Sequence, residues 1–122
     1  MRILLDECVP RPLRKELSQY EVCTIREQGW DGKQNGELLA LMSAAGFEIL
    51  LTADQNLRFQ QNLGKYQIAV IIMIAFSNRL EDLITLIPQV ESALLKIHPA
   101  KLSKSLRLRN KFCNRYFVNS HR

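Results

Sequence analysis

The sequence predicts an α/β fold: a three-layer α/β/α sandwich around a mostly parallel central sheet of four or five strands. Three observations predict it. Short apolar runs, at residues 2–5, 48–51 and 68–74, alternate with segments whose apolar residues have helical spacing. The longest run, Ile68 to Ile74, is continuous and rich in β-branched residues, as a strand buried on both faces requires. Two of the runs lead directly into carboxylates, Asp6 and Asp54, at the sheet edge where open α/β folds bind ligands.

The elements follow in order. Residues 2–5 form the first strand. Leu13, Leu17 and Tyr20 have helical spacing, so residues 11–19 are a first helix with Pro12 in its first turn, where a missing N–H costs little. Residues 21–25 alternate and favour a second strand. Gly29-Trp30-Asp31-Gly32 is a turn-rich loop. Asn35 is the natural N-cap of the next helix, which carries Leu38, Leu41, Met42 and Ala45 on one face and is stopped by Gly46. Residues 48–51 are strand three. A short helix from Asp54 or Gln55 carries Leu57, Phe59 and Leu63 and is stopped by Gly64. After the fourth strand, Asn78 with Glu81 resembles a capping box. The apolar stripe from Leu80 to Ile97 is interrupted by Pro88, giving one kinked helix or two short ones.

The chain of 122 residues is sized for one domain with its own core. No apolar run reaches the roughly 18 residues of a membrane span, and Arg2 is followed by no signal-like run, so the chain reads as cytoplasmic. Cys8, Cys23 and Cys113 are odd in number and lack metal-type spacing, which argues against a disulfide framework. Charge is uneven. Residues 1–100 hold 10 Lys/Arg against 12 Asp/Glu, whereas residues 101–122 hold seven Lys/Arg and no acid, so the net +5 belongs to the tail and says little about the domain. The division is therefore a domain over 1–98 and a basic tail over 99–122. In the tail Leu102, Leu106 and Leu108 suit an amphipathic turn or two, and the segment either binds RNA, docks on a partner or is a disordered extension.

Right-handed crossovers place every strand's C-terminal end on one edge, so Asp6, Asp54 and the start of the Glu37 helix converge there. Two of the three carboxylates also have a ready structural explanation. Asp54 caps the helix that follows it, and Glu37 lies in a first turn, where negative charge suits the macrodipole. Asp6 is the hardest to explain in this way, because it ends a central strand and is not clearly a cap. Thr52 either orients a carboxylate or simply ends its strand. Asn56 extends the polar edge or is an exposed helix residue. Arg58 and Arg79 meet phosphate or are solvated. Trp30 and Tyr66 stack on a base or are partly buried. Glu7 and Asp31 read as solvated, and His98 and His121 carry no catalytic role.

With these residues placed, the chain resembles the PIN-like nuclease superfamily, in its short branch of uncharacterised proteins found as toxins of bacterial toxin–antitoxin pairs. The likeness lies in the opening Met1-Arg-Ile-Leu-Leu-Asp6-Glu-Cys-Val-Pro10, the helix start Asn35-Gly-Glu37-Leu-Leu-Ala40, and the Thr-x-Asp of Leu50-Leu-Thr52-Ala-Asp54-Gln-Asn-Leu. It covers roughly residues 1–96. It implies a PIN-like fold and a metal-dependent endoribonuclease. Asp6, Glu37 and Asp54 would hold Mg²⁺ or Mn²⁺, which neutralises a phosphodiester's charge. It also implies an RNA substrate, a small antitoxin as partner, and a homodimer. Two departures stand out. The branch commonly has Asp at the position of Asn35, and many PIN nucleases carry a fourth acid near the end of the fourth strand, where this chain has Ala75-Phe76-Ser77-Asn78. Both favour the alternative of a catalytically weak PIN-like module that binds RNA or protein. A third reading, a phosphate-handling receiver-like domain, fits Asp6, Glu7 and Asp54 loosely but expects a Lys after the last strand, and none follows Ile74.

Overall fold

A computed structural model describes residues 1–33, 35–55, 66–97 and 105–109. Its centre is a five-stranded, all-parallel sheet in the order β2-β1-β3-β4-β5. The strands are β1 (Arg2–Leu5), β2 (Glu21–Thr24), β3 (Ile49–Thr52), β4 (Ala69–Ile74) and β5 (Ser105–Arg109). The α/β class and the central parallel sheet are those the sequence predicts.

Alternation along each strand divides the core into two layers. Ile3, Leu5, Ile49, Leu51, Ala69, Ile71 and Met73 face one side, where they meet Leu13 and Leu17 of a 3₁₀ helix (Arg11–Leu17) and Leu83, Val90 and Leu94 of helices α3 (Leu80–Ile84) and α4 (Ile87–Lys96). Leu4, Leu50, Val70, Ile72 and Ile74 face the other, against Leu38, Leu39 and Met42 of α2 (Asn35–Ala44). Every residue of β3 and β4 is buried, which explains their unbroken apolar runs.

Local differences from the sequence reading have physical causes. The first helix is 3₁₀, with Pro12 in its first turn as expected. Strand two stops at Thr24, because Thr24 caps a one-turn helix α1 (Ile25–Gln28). Its hydroxyl accepts the Glu27 N–H at 3.1 Å, and Glu27 Oε1 accepts the Thr24 N–H at 3.0 Å. Gly29, at φ 76°, ends that turn. Asn35 is already inside α2 rather than at its cap. Gly46, at φ 85°, stops α2 as predicted, and the Phe47 N–H closes on the Met42 carbonyl at 2.9 Å. Pro88 separates two helices instead of kinking one, since it stands in the first turn of α4.

Asn78 does not cap α3. The N-cap is Arg79, which makes no side-chain cap bond; Ser77 Oγ shapes the turn before the helix, accepting the Arg79 N–H at 3.0 Å while donating to Asp82 Oδ2 at 2.6 Å. The expected turns around Leu106 and Leu108 are a strand, β5, on the outer edge of the sheet beside β4. The short helix expected from Asp54 or Gln55 to Leu63 lies outside the described residues beyond Gln55, as does most of the basic tail. Among the described residues no helix is long and apolar enough to cross a membrane.

Candidate functional site

From β1 the chain crosses to β2 on one side; from β3 it passes to β4 on the other. The C-terminal ends of β1 and β3 therefore diverge at a topological switch point, and a crevice opens between them. The structure has an open cleft there, of about 520 Å³, lined among the described residues by Asp6, Glu7, Cys8, Ala53, Asp54, Gln55 and Asn78. Parallel pairing of Leu5 with Leu51 fixes its floor, and the Asp6 N–H extends the pairing by one bond, to the Leu51 carbonyl at 3.0 Å.

Thr52 is the centre of the polar network. It is fully buried, so its hydroxyl requires partners. It donates to Asp6 Oδ2 at 2.6 Å and accepts the Asp54 N–H at 3.0 Å. One side chain thus fixes the Asp6 carboxylate and the backbone that carries Asp54. Of the two expected roles for Thr52, the geometry is that of orienting a carboxylate. The second Asp6 oxygen, Oδ1, accepts the Glu7 N–H at 2.8 Å.

Cys8 completes the network. Its sulfur accepts the Ala53 N–H at 3.4 Å and lies 3.6 Å from Thr52 Oγ1 and 3.8 Å from Asp6 Oδ2. Thr52 gives its one hydroxyl proton to Asp6 Oδ2, toward which the thiol also donates. Burial pushes the Cys8 thiol above its ordinary value of 9.0, against the opposing bonds from Thr52 and Ala53, and the negative charges of Asp6 and Asp54 push it the same way. The thiol therefore stays neutral beside the two acids.

The other expected site residues lie as follows. Glu37 is exposed, forms an ion pair with Lys33 at 3.6 Å, and is not among the residues lining the cleft. Asn35 begins α2, and its side chain is outside what the structure describes, as are Asn56 and Arg58 altogether. Arg79 is exposed, on the same loop as Asn78. Asp31 pairs with Arg26 at the surface. Trp30 packs edge-on against Phe47, with ring centroids 5.8 Å apart, and Tyr66 packs against the second core layer.

No family model, curated protein or solved structure matches this chain. The site therefore rests on its own geometry. Sequence reasoning missed three of its residues. Glu7 reads as solvated, yet it lines the cleft and accepts the Gly32 N–H at 3.4 Å. Asn78 reads as a cap. Cys8 reads only as a cysteine without metal or disulfide spacing, although its place two residues after a strand-end Asp is an available signal.

A divalent cation is the group such acids would hold. Among the described residues no group of three or more His, Cys, Asp or Glu is arranged as a metal site. Asp6 and Asp54, with Glu7 beside them, still fit Mg²⁺ or Mn²⁺, because Mg²⁺ takes hard oxygen ligands, commonly only one or two carboxylates, and keeps several waters.

Proposed function

We propose that the protein is a metal-dependent endoribonuclease of PIN-like type, acting as the toxin of a toxin–antitoxin pair in the cytoplasm. The observation that carries the reading is the meeting of Asp6 and Asp54 in one cleft at the switch point of the sheet, tied together by the buried Thr52. Asp6 and Asp54 hold the Mg²⁺ or Mn²⁺. Bound there, the cation supplies Lewis acidity toward phosphate oxygens and water. Thr52 keeps the Asp6 carboxylate in one orientation, which reduces the reorganisation left for the reaction. Arg79 engages RNA phosphates, and Arg58, which lies outside the described residues, is assigned the same role. Arg107 of β5, whose Nη2 donates to the Gln55 carbonyl at 3.4 Å, adds positive charge at the rim. A small antitoxin would act by covering this cleft, and a homodimer is part of the same reading. Purified protein should cleave a mixed RNA pool with Mn²⁺ and not with EDTA, and Asp6→Asn and Asp54→Asn should both be inactive. Equal cleavage by all three proteins would mark a contaminant. Inactivity of the wild type would favour the alternative of a binding module, with Asn35→Asp as the next variant.

A second reading has its own support. The strand order β2-β1-β3-β4-β5 is the flavodoxin-like order of doubly wound domains, and Asp6, Glu7 and Asp54 share its switch-point crevice. This suits a receiver-like, phosphate-accepting domain. With β5 as the last strand, the lysine that reading requires would be Lys111, which lies outside the described residues. Incorporation of label from acetyl phosphate into Asp54 with Mg²⁺ would establish it, and its absence would remove it.

A further inference from the structure

Two bonds of opposite sense tie together the loops that carry the acids. Thr52, at the end of β3, donates to Asp6 Oδ2 beyond β1, and Cys8, beyond β1, accepts the Ala53 N–H beyond β3. They prolong the pairing of the two strands past its bond from the Asp6 N–H to the Leu51 carbonyl. The bonds to the Asp6 carboxylate are unevenly shared. Oδ2 takes two side-chain donors, the Thr52 hydroxyl at 2.6 Å and the Cys8 thiol at 3.8 Å, whereas Oδ1 takes the Glu7 N–H at 2.8 Å. A carboxylate oxygen accepts about two hydrogen bonds. Oδ2 is therefore filled from within the protein, and Oδ1 keeps capacity for a ligand in the cleft that Asp6 and Asp54 line.

We propose that Cys8 is a positioning residue that sets which divalent cation this cleft prefers. The proposal rests on the reading of Asp6 and Asp54 as a cation site, and it adds a residue that acts through Asp6 rather than on the ion. With Oδ2 filled, Asp6 offers a cation Oδ1 alone. Mg²⁺ takes single oxygens in an octahedron and keeps several waters, whereas Ca²⁺ takes roughly six to eight oxygens and often draws both oxygens of one carboxylate. Mn²⁺ shares the octahedral oxygen preference of Mg²⁺. Holding Oδ2 back thus favours Mg²⁺ or Mn²⁺ over Ca²⁺. Removing the thiol frees an acceptor position on Oδ2 and releases the N–H of Ala53, the residue between Thr52 and Asp54.

The test needs no cleavage. Mn²⁺ titration followed by electron paramagnetic resonance should show Cys8→Ala binding about tenfold more weakly than the wild type. Competition with Ca²⁺ should show the ratio of the two affinities moving toward Ca²⁺ in the same variant. Cys8→Ser, whose hydroxyl can accept the Ala53 N–H and donate to Asp6, should recover most of the affinity and the preference. In the metal-free protein, hydrogen exchange of the Ala53 amide should be faster in Cys8→Ala than in the wild type or Cys8→Ser. A Cys8→Ala protein that only unfolds earlier in urea, with Mn²⁺ affinity and Ca²⁺ preference unchanged, would overturn the proposal. So would Cys8→Ser binding as weakly as Cys8→Ala, because the sulfur itself would then be needed as a ligand. No Mn²⁺ binding by any of the three proteins, with the exchange pattern as stated, would uphold the tie between the loops and defeat the cation reading. Mn²⁺ bound equally by the wild type and Cys8→Ala would do the reverse.

Discussion

The carboxylates at the two strand ends and the carboxylate at the start of α2 have different surroundings, although one resemblance assigns them one task. Asp6 and Asp54 are delivered by β1 and β3, neighbouring strands in fixed register, to the crevice where the chain's crossovers part. Thr52 and Cys8 hold them from beneath. Glu37 is delivered by a helix, is exposed, and faces Lys33 one turn earlier. Strand pairing positions a side chain through several bonds at once. A helix start leaves a long side chain at the surface to choose a local partner. The comparison teaches that convergence at a sheet edge is set by sheet register more than by sequence proximity to a motif.

The largest expected effect separates the two regions by activity. Asp6→Asn or Asp54→Asn should lower RNA cleavage about 100-fold or more, whereas Glu37→Gln should change it by less than about fivefold, as loss of an exposed ion pair would. Gel assays on one substrate decide this, and a Glu37→Gln loss matching that of Asp6→Asn would erase the contrast. A smaller effect is on folding. Thr52→Val leaves the Asp54 N–H without its acceptor and should cost about 1–3 kcal/mol in urea unfolding, with Thr52→Ser recovering most of it. Lys33→Ala should cost at most a few tenths, roughly, of a kcal/mol.

Chemical reactivity sharpens the same picture. Because burial raises the Cys8 thiol, iodoacetamide should label it several-fold more slowly than free cysteine at pH 8, with peptide mass spectrometry reporting the site. The neutral thiol is favoured by the folded state below 9.0, and this contribution is lost as pH rises through the raised value. A further pH-dependent effect belongs to a purely structural acid. Glu27 is held below its ordinary 4.5, first by the Thr24 N–H and then by Arg14. Its stabilisation is present above 4.5 and lost as pH falls through the lowered value. Glu27→Gln should therefore cost, after solvent screening of this exposed group, at most about 1 kcal/mol at pH 7, and progressively less as pH falls through the lowered value.

What the sequence reveals and what it hides follow from how many residues carry each signal. β3 and β4 are legible because every position is buried and apolar, so no register is needed to see them. Helix α2 is legible at its end, where Gly46 must adopt positive φ, and less so at its start. Helix α1 escapes notice because Thr24-x-x-Glu27 signals a helix start, while the alternation of residues 21–25 signals a strand, and the chain does both in succession. β5 shows a period of two in Leu106-Arg107-Leu108-Arg109, but its charges make it look like solvated tail. Such charges suit an edge strand, and Leu108 packs toward the core while Arg107 is exposed. At the site, Asp6 and Asp54 are readable as strand-end acids. Asn78 reaches the cleft through loop shape, which no short spacing encodes, and Cys8 is signalled only by its place two residues after Asp6.

In the proposed nuclease, Asp6 and Asp54 act as one cation site that does not need Glu37. The most direct measurement is Mn²⁺ titration, followed by electron paramagnetic resonance, of the wild type, Asp6→Asn, Asp54→Asn, Glu37→Gln and the double variant at positions 6 and 54. Either aspartate variant should lose most of the affinity, the double variant should lose little more, and Glu37→Gln should bind like the wild type. Tight binding retained in Asp54→Asn, with loss in Glu37→Gln, would contradict it.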